Sequence, residues 1–128
     1  MTMNQDEMRR HAQQAANDLL CDVSGARAVL VATPDGFDLA HAGALPLDAG
    51  RLAAMVSSMA ALGDAASREA AIGQPHCMVV DSSAGRLVMR SVQWRGEPLV
   101  VVLLTDTAAL LGMVLNALNG VERSLGVA

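Results

Sequence analysis

The stretch from Pro98 to Thr105 constrains the fold more than any other part of the chain. Leu99-Val-Val-Val-Leu-Leu104 is apolar at every position. Side chains on a strand point alternately to opposite faces, so a strand with this run needs apolar cover on both of them. The run therefore predicts the central strand of a sheet sandwiched between helices. It is far too short to cross a membrane, which takes about 20 apolar residues.

The remaining elements supply the neighbours and the cover. Asn4 and Glu7 are spaced as a capping pair, and Met8, Ala12, Ala15, Ala16, Leu19, Leu20 and Val23 follow at helical spacing until Ser24-Gly25. Strands over 28–33 and 37–43 flank Pro34-Asp35-Gly36, in which proline presets the turn and glycine supplies a positive φ. Pro46-Leu47-Asp48 opens a middle helix, capped by Asp48 and running to about Ala71. Strands over 76–81, 86–94 and 98–105 come next, joined by Ser82-Ser83-Ala84-Gly85 and Arg95-Gly96-Glu97. Asp106 then caps a last helix, with Leu110, Leu111, Val114, Leu115, Leu118, Val121 and Leu125 as its buried arc. The whole chain, 1–128, reads as a single α+β domain of order α-β-β-α-β-β-β-α. The economical packing is one five-stranded antiparallel sheet, with the middle helix on one face and the two terminal helices on the other.

The middle helix is the most informative segment. At 100° per residue, Leu52, Met55, Val56, Met59, Leu62, Gly63, Ala66 and Ala70 form the stripe expected to pack on the sheet. The opposite side carries Ala53, Ala54, Ser57, Ser58, Ala60, Ala61, Asp64, Ala65 and Arg68, and from Leu52 to Gly63 it has no charge at all. An ordinary solvent face is charged. A backbone lined with small residues instead admits a second helix at close range, so Ala54, Ser57, Ser58, Ala61 and Ala65 are the expected self-association surface. His76, Met78 and Val80 join them as a strand edge that an identical strand would cover. Arg51 and Arg68, near the two ends of the helix, are the candidates for touching another partner, because arginine combines charge with a planar donor fork.

A search for chemistry returns little. The formal charge is −4, and the basic residues are nine arginines without a basic run, which argues against a nucleic-acid backbone as partner. Phe37 and Trp94 stand alone, too few to stack bases. The glycine segments near Gly36, Gly85 and Gly96 are short turns lacking the lysine of a phosphate cradle. His76 and Cys77, as strand neighbours, would point to opposite faces and form no dyad. His11, His41 and His76 have no second ligand at a metal-binding spacing. Asp35 and Asp38 fit a turn better than a catalytic pair. Cys21 and Cys77 read as small core residues of a reducing compartment. The acidic amino terminus is unlike a secretion signal, so a cytoplasmic location is expected. Neither a cofactor, a metal nor a catalytic residue is expected, and no direct membrane insertion.

Gly25-Ala26, Val29-Leu-Val-Ala-Thr-Pro-Asp-Gly-Phe-Asp-Leu-Ala40 and Gly43 resemble the Roadblock/LC7 family. So do the alanine-rich helix over 52–71, Gly85-Arg-Leu-Val-Met89, and Gly96-Glu-Pro-Leu-Val-Val-Val-Leu-Leu104. The resemblance implies a profilin-like domain that dimerises by packing its middle helices together and pairing its third strands. It also implies a regulator or scaffold of small Ras-like GTPases, as a homodimer or with a paralogue. The alternatives from the residues alone are a small-molecule-sensing domain, which needs polar groups converging on an apolar cleft, and a purely structural subunit of a larger assembly.

Overall fold

The computed structural model describes residues 2–45 and 48–126. Strand β5 (Glu97–Thr105) lies at the centre, between β1 (Ala26–Ala32) and β4 (Gly85–Trp94). Strands β2 (Asp38–Gly43) and β3 (Met78–Ser82) form the edges, giving the order β2-β1-β5-β4-β3, antiparallel throughout. Leu99 to Leu103 are buried, as an all-apolar central strand requires. The helices are α1 (Thr2–Asp22), α2 (Ala49–Glu69) and α3 (Leu111–Gly126). Val29, Val31, Val88, Val101 and Leu103 face α1 and α3, while Leu30, Ala32, Met89, Val100 and Val102 face α2. The expected α+β architecture is the observed one.

Local chemistry sets the joints. Gly36 takes φ 96° in the first hairpin, where the Thr33 amide donates to the Phe37 carbonyl at 2.8 Å and the Gly36 amide to the Thr33 carbonyl at 3.1 Å. The side-chain hydrogen bond at this turn comes from Thr33, whose Oγ1 accepts from the Phe37 amide, a role the sequence assigns to aspartate. Arg95 and Gly96, at φ 48° and 82°, make the left-handed two-residue turn that suits the twist of a tight hairpin. Arg95 also stacks on Trp94, 4.6 Å from the ring centroid, and binds Glu7 at 2.9 Å, which ties α1 to the β4–β5 turn.

Several boundaries differ from the expected ones. Helix α1 is already under way at Thr2, so Asn4 stands inside it and does not cap it. Asp48 does cap α2, accepting from the Gly50 amide at 3.1 Å, while Pro46 and Leu47 lie outside the described residues. The Asp106 carboxylate accepts from the Ala108 and Ala109 amides, closing a turn ahead of α3, and the helix starts only at Leu111. Leu110 is consequently exposed instead of buried, and the Leu125 side chain lies outside what the structure describes. Cys21 is exposed on α1 and Cys77 half-buried, so neither is a core residue.

The largest correction concerns the rotation of α2. Its buried residues are Leu52, Ala53, Val56 and Ser57, whereas Met55 and Leu62 are 55% and 70% exposed and Ala66 and Ala70 also face solvent. Leu52 and Val56 meet the sheet as expected, but the small residues Ala53 and Ser57 join them at the contact, so the helix is rotated toward that side. Ser57 completes that contact: its hydroxyl lies 2.8 Å from the Thr33 carbonyl and 2.7 Å from that of Ala53. Ser57→Ala is expected to cost about 1 kcal/mol, the net worth of one buried hydrogen bond, as read by urea denaturation.

Candidate functional site

With α2 turned this way, its outward side is a seam. Arg51, Ala54, Met55, Ser58, Ala61, Leu62 and Ala65 are all exposed, and they recur at intervals of three and four residues, the spacing by which one helix packs along another. Ser58 is quenched locally, its hydroxyl donating to the Ala54 carbonyl at 3.1 Å. Between Arg51 and Asp64 the seam has no charge, so nothing polar must be desolvated when it is covered. Of the residues expected here from sequence, Ala54, Ser58, Ala61 and Ala65 are in place. Ser57 is not: it is 6% exposed and bound to β1, inside the monomer. Met55 and Leu62 belong to the seam, although their size assigned them to the core.

Strand β3 lies beside this helix. Met78 packs into the core under α2, and a Cβ on Gly63 would meet its Sδ at 2.5 Å, so glycine at that position leaves room for the Met78 side chain. β3 pairs with β4 on one side, and its other side has no strand among the described residues. Val79 and Val80 are both partly exposed there. An apolar edge of this kind is a template for a further strand. Met78 and Val80 sit on the ladder as expected, but His76 does not. His76 and Cys77 precede the strand, following Pro75, whose fixed φ and missing amide hydrogen delay the ladder. The His76 carbonyl instead accepts from Arg90 Nη1 at 3.1 Å.

The two candidate arginines differ. Arg68 is held by Asp64 at 3.1 Å, one helical turn back, in an exposed pair, which contributes little to stability. Arg51 projects from the first turn of α2 and is exposed. They stand roughly 25 Å apart along the axis, at 1.5 Å per residue, so they mark opposite ends of the seam and do not form one binding fork. Among the described residues, no three histidine, cysteine, aspartate or glutamate side chains gather as a metal site would. No described helix is long and apolar enough to cross a membrane.

Comparison with known proteins agrees with the fold. The family model for the Roadblock/LC7 domain matches residues 12–101. None of the curated protein sequences matches the chain. Among solved structures, the gliding protein MglB of Thermus thermophilus is 26% identical, with a TM-score of 0.78 over 94% of this chain and 89% of that one. An MglB described in a tetrameric arrangement is 27% identical, with a TM-score of 0.74 over 92% and 90%. MglB of Myxococcus xanthus, at 17% identity, shares the fold with a TM-score of 0.75 over 94% and 86%.

Proposed function

Because the chain belongs to the Roadblock/LC7 domain family, we propose that it is a non-enzymatic homodimeric interaction module that regulates or scaffolds a small Ras-like GTPase in the cytoplasm. The observation that carries this reading is the outward seam of α2, uncharged from Leu52 to Gly63, beside the unpaired edge of β3. Two copies related by a twofold axis cover both features at once: seam packs on seam, and β3 pairs with β3 to continue the sheet. The tetrameric arrangement described for a relative 27% identical supports self-association of this fold. The GTPase role rests on the family likeness, with Arg51 and Arg68 at the seam's ends as the partner contacts.

The test is affinity capture of the tagged protein from its source lysate, with GTP or GDP analogues added. Nucleotide-dependent enrichment of a Ras-like GTPase is expected. Capture of only the protein itself or a paralogue would withdraw the GTPase role and leave a scaffold.

A further inference from the structure

The irregularity at the start of β1 creates a feature away from the outward seam of α2. The register of β1 against β5 shifts between Ala26 and Ala28, which leaves Arg27 out of the ladder. Such a bulge re-aims its side chain. Nη1 of Arg27 lies over the backbone of Gly85, 3.7 Å from where a Cβ on that residue would stand. Gly85 is itself confined to glycine, because the same Cβ would come within 2.4 Å of the Thr105 carbonyl. Glycine therefore lets β4 lie close against β5 here, and beside it, next to the guanidinium, is open space.

That space is a cavity of about 480 Å³, lined by Arg27, Ser82, Ser83, Arg86, Leu87 and Leu104. Its size falls in the range of small-ligand sites, about 300–1,000 Å³. Leu87 and Leu104, both half-buried, give it an apolar floor. Arg86 is already committed, to Asp81 at 3.1 Å and to the Ala109 carbonyl at 2.6 Å. The Arg27 guanidinium has no hydrogen-bond or carboxylate partner among the described residues. Asp81 balances the charge of Arg86, which leaves Arg27 as the cation of this mouth, with the Ser82 and Ser83 hydroxyls beside it.

We propose that this cavity binds a carboxylate carried on an aliphatic body, with Arg27 as its anchor. A planar carboxylate matches the guanidinium fork through two parallel hydrogen bonds. Ser82 at the end of β3 and Ser83 in the turn after it supply further donors, and the leucine floor takes the alkyl part. The same chemistry is offered by a free aliphatic acid and by the carboxyl terminus of a peptide ending in leucine. The site shares no residue with the outward seam of α2 and does not rest on the GTPase role, but Ser82 ends β3, so the proposed β3 pairing borders it.

The experiment is an NMR titration of the labelled full chain with hexanoate, with hexanamide, and with an octapeptide ending in leucine as free acid or as amide. Hexanoate or the free-acid peptide is expected to shift the amides of Arg27, Ser82 to Arg86 and Leu104, while the amide analogues leave them in place. Saturation by hexanoate identifies a free acid as the source, and saturation by the peptide acid alone identifies a chain terminus. Arg27→Gln, at an exposed position, should weaken binding by about tenfold or more, the loss of a charge-assisted pair, with the spectrum elsewhere unchanged. Equal shifts with acid and amide, no shift with either acid, or undiminished binding by Arg27→Gln would overturn the proposal.

Discussion

Ala61→Arg is expected to halve the mass of the protein in solution, from twice the 13.3 kDa of one chain to a single copy. Ala61 is exposed on α2, so the isolated fold accommodates a long side chain there without rearrangement. In a paired seam the same side chain meets another backbone at close range, and its charge is buried without a partner. The cost of an unpaired buried charge is about 3–5 kcal/mol, or roughly two to four orders of magnitude in Kd. Light scattering reads the mass, and far-ultraviolet circular dichroism checks that the helices and sheet persist. A variant that keeps the mass of two chains would place the dimer contact elsewhere on the surface.

Leu103→Ala is expected to lower stability by about 3–4 kcal/mol, within the range for removing a buried leucine side chain and leaving a cavity. Leu103 is fully buried on β5, paired with Val29 on one side and Val88 on the other. Helices α1 and α3 cover it from the same face. Strands on both sides and helices above leave nothing free to collapse into the gap, which is the condition for a large cavity term. The loss is a sizeable fraction of the 5–15 kcal/mol that small domains possess. A lower denaturation midpoint with an unchanged m-value is the expected result. A loss below 1 kcal/mol would mean that the core relaxes around the hole.

The strands and helices were legible because their signals are local. An all-apolar β5, a Pro-Asp-Gly turn and an Asp48 cap each settle their own few residues, and all survive in the structure. The facing of α2 was not, for a physical reason. Hydrophobic periodicity finds the side of a helix with the largest apolar groups, and it succeeds when the core is the only apolar contact. Here Leu52 and Val56 meet the sheet as the periodicity requires, but Ala53 and Ser57 join them there while Met55 and Leu62 face outward. Exposed apolar residues such as Met55 and Leu62 are thus indistinguishable by size from residues of the core. The delayed start of β3 traces to Pro75, and the late start of α3 to a turn closed by Asp106. Arg27 was invisible from sequence, because only the strand register shows that it leaves the ladder.

The strand order carries a consequence for how the chain reaches this state. β1 with β2, β3 with β4 and β4 with β5 are hairpins closed by short turns, units whose formation takes on the order of microseconds. The pairing of β1 with β5, Val29 against Leu103, instead joins the two ends of the sequence. It must close a loop containing β2, α2, β3 and β4 before any of its contacts repays the lost chain entropy. Until that seam shuts, the apolar faces of two half-sheets stand open to one another. The closure of β1 on β5 is therefore expected to be the last and slowest step in assembling the sheet, and the interval before it is when this chain is most exposed to pairing with the wrong copy of itself.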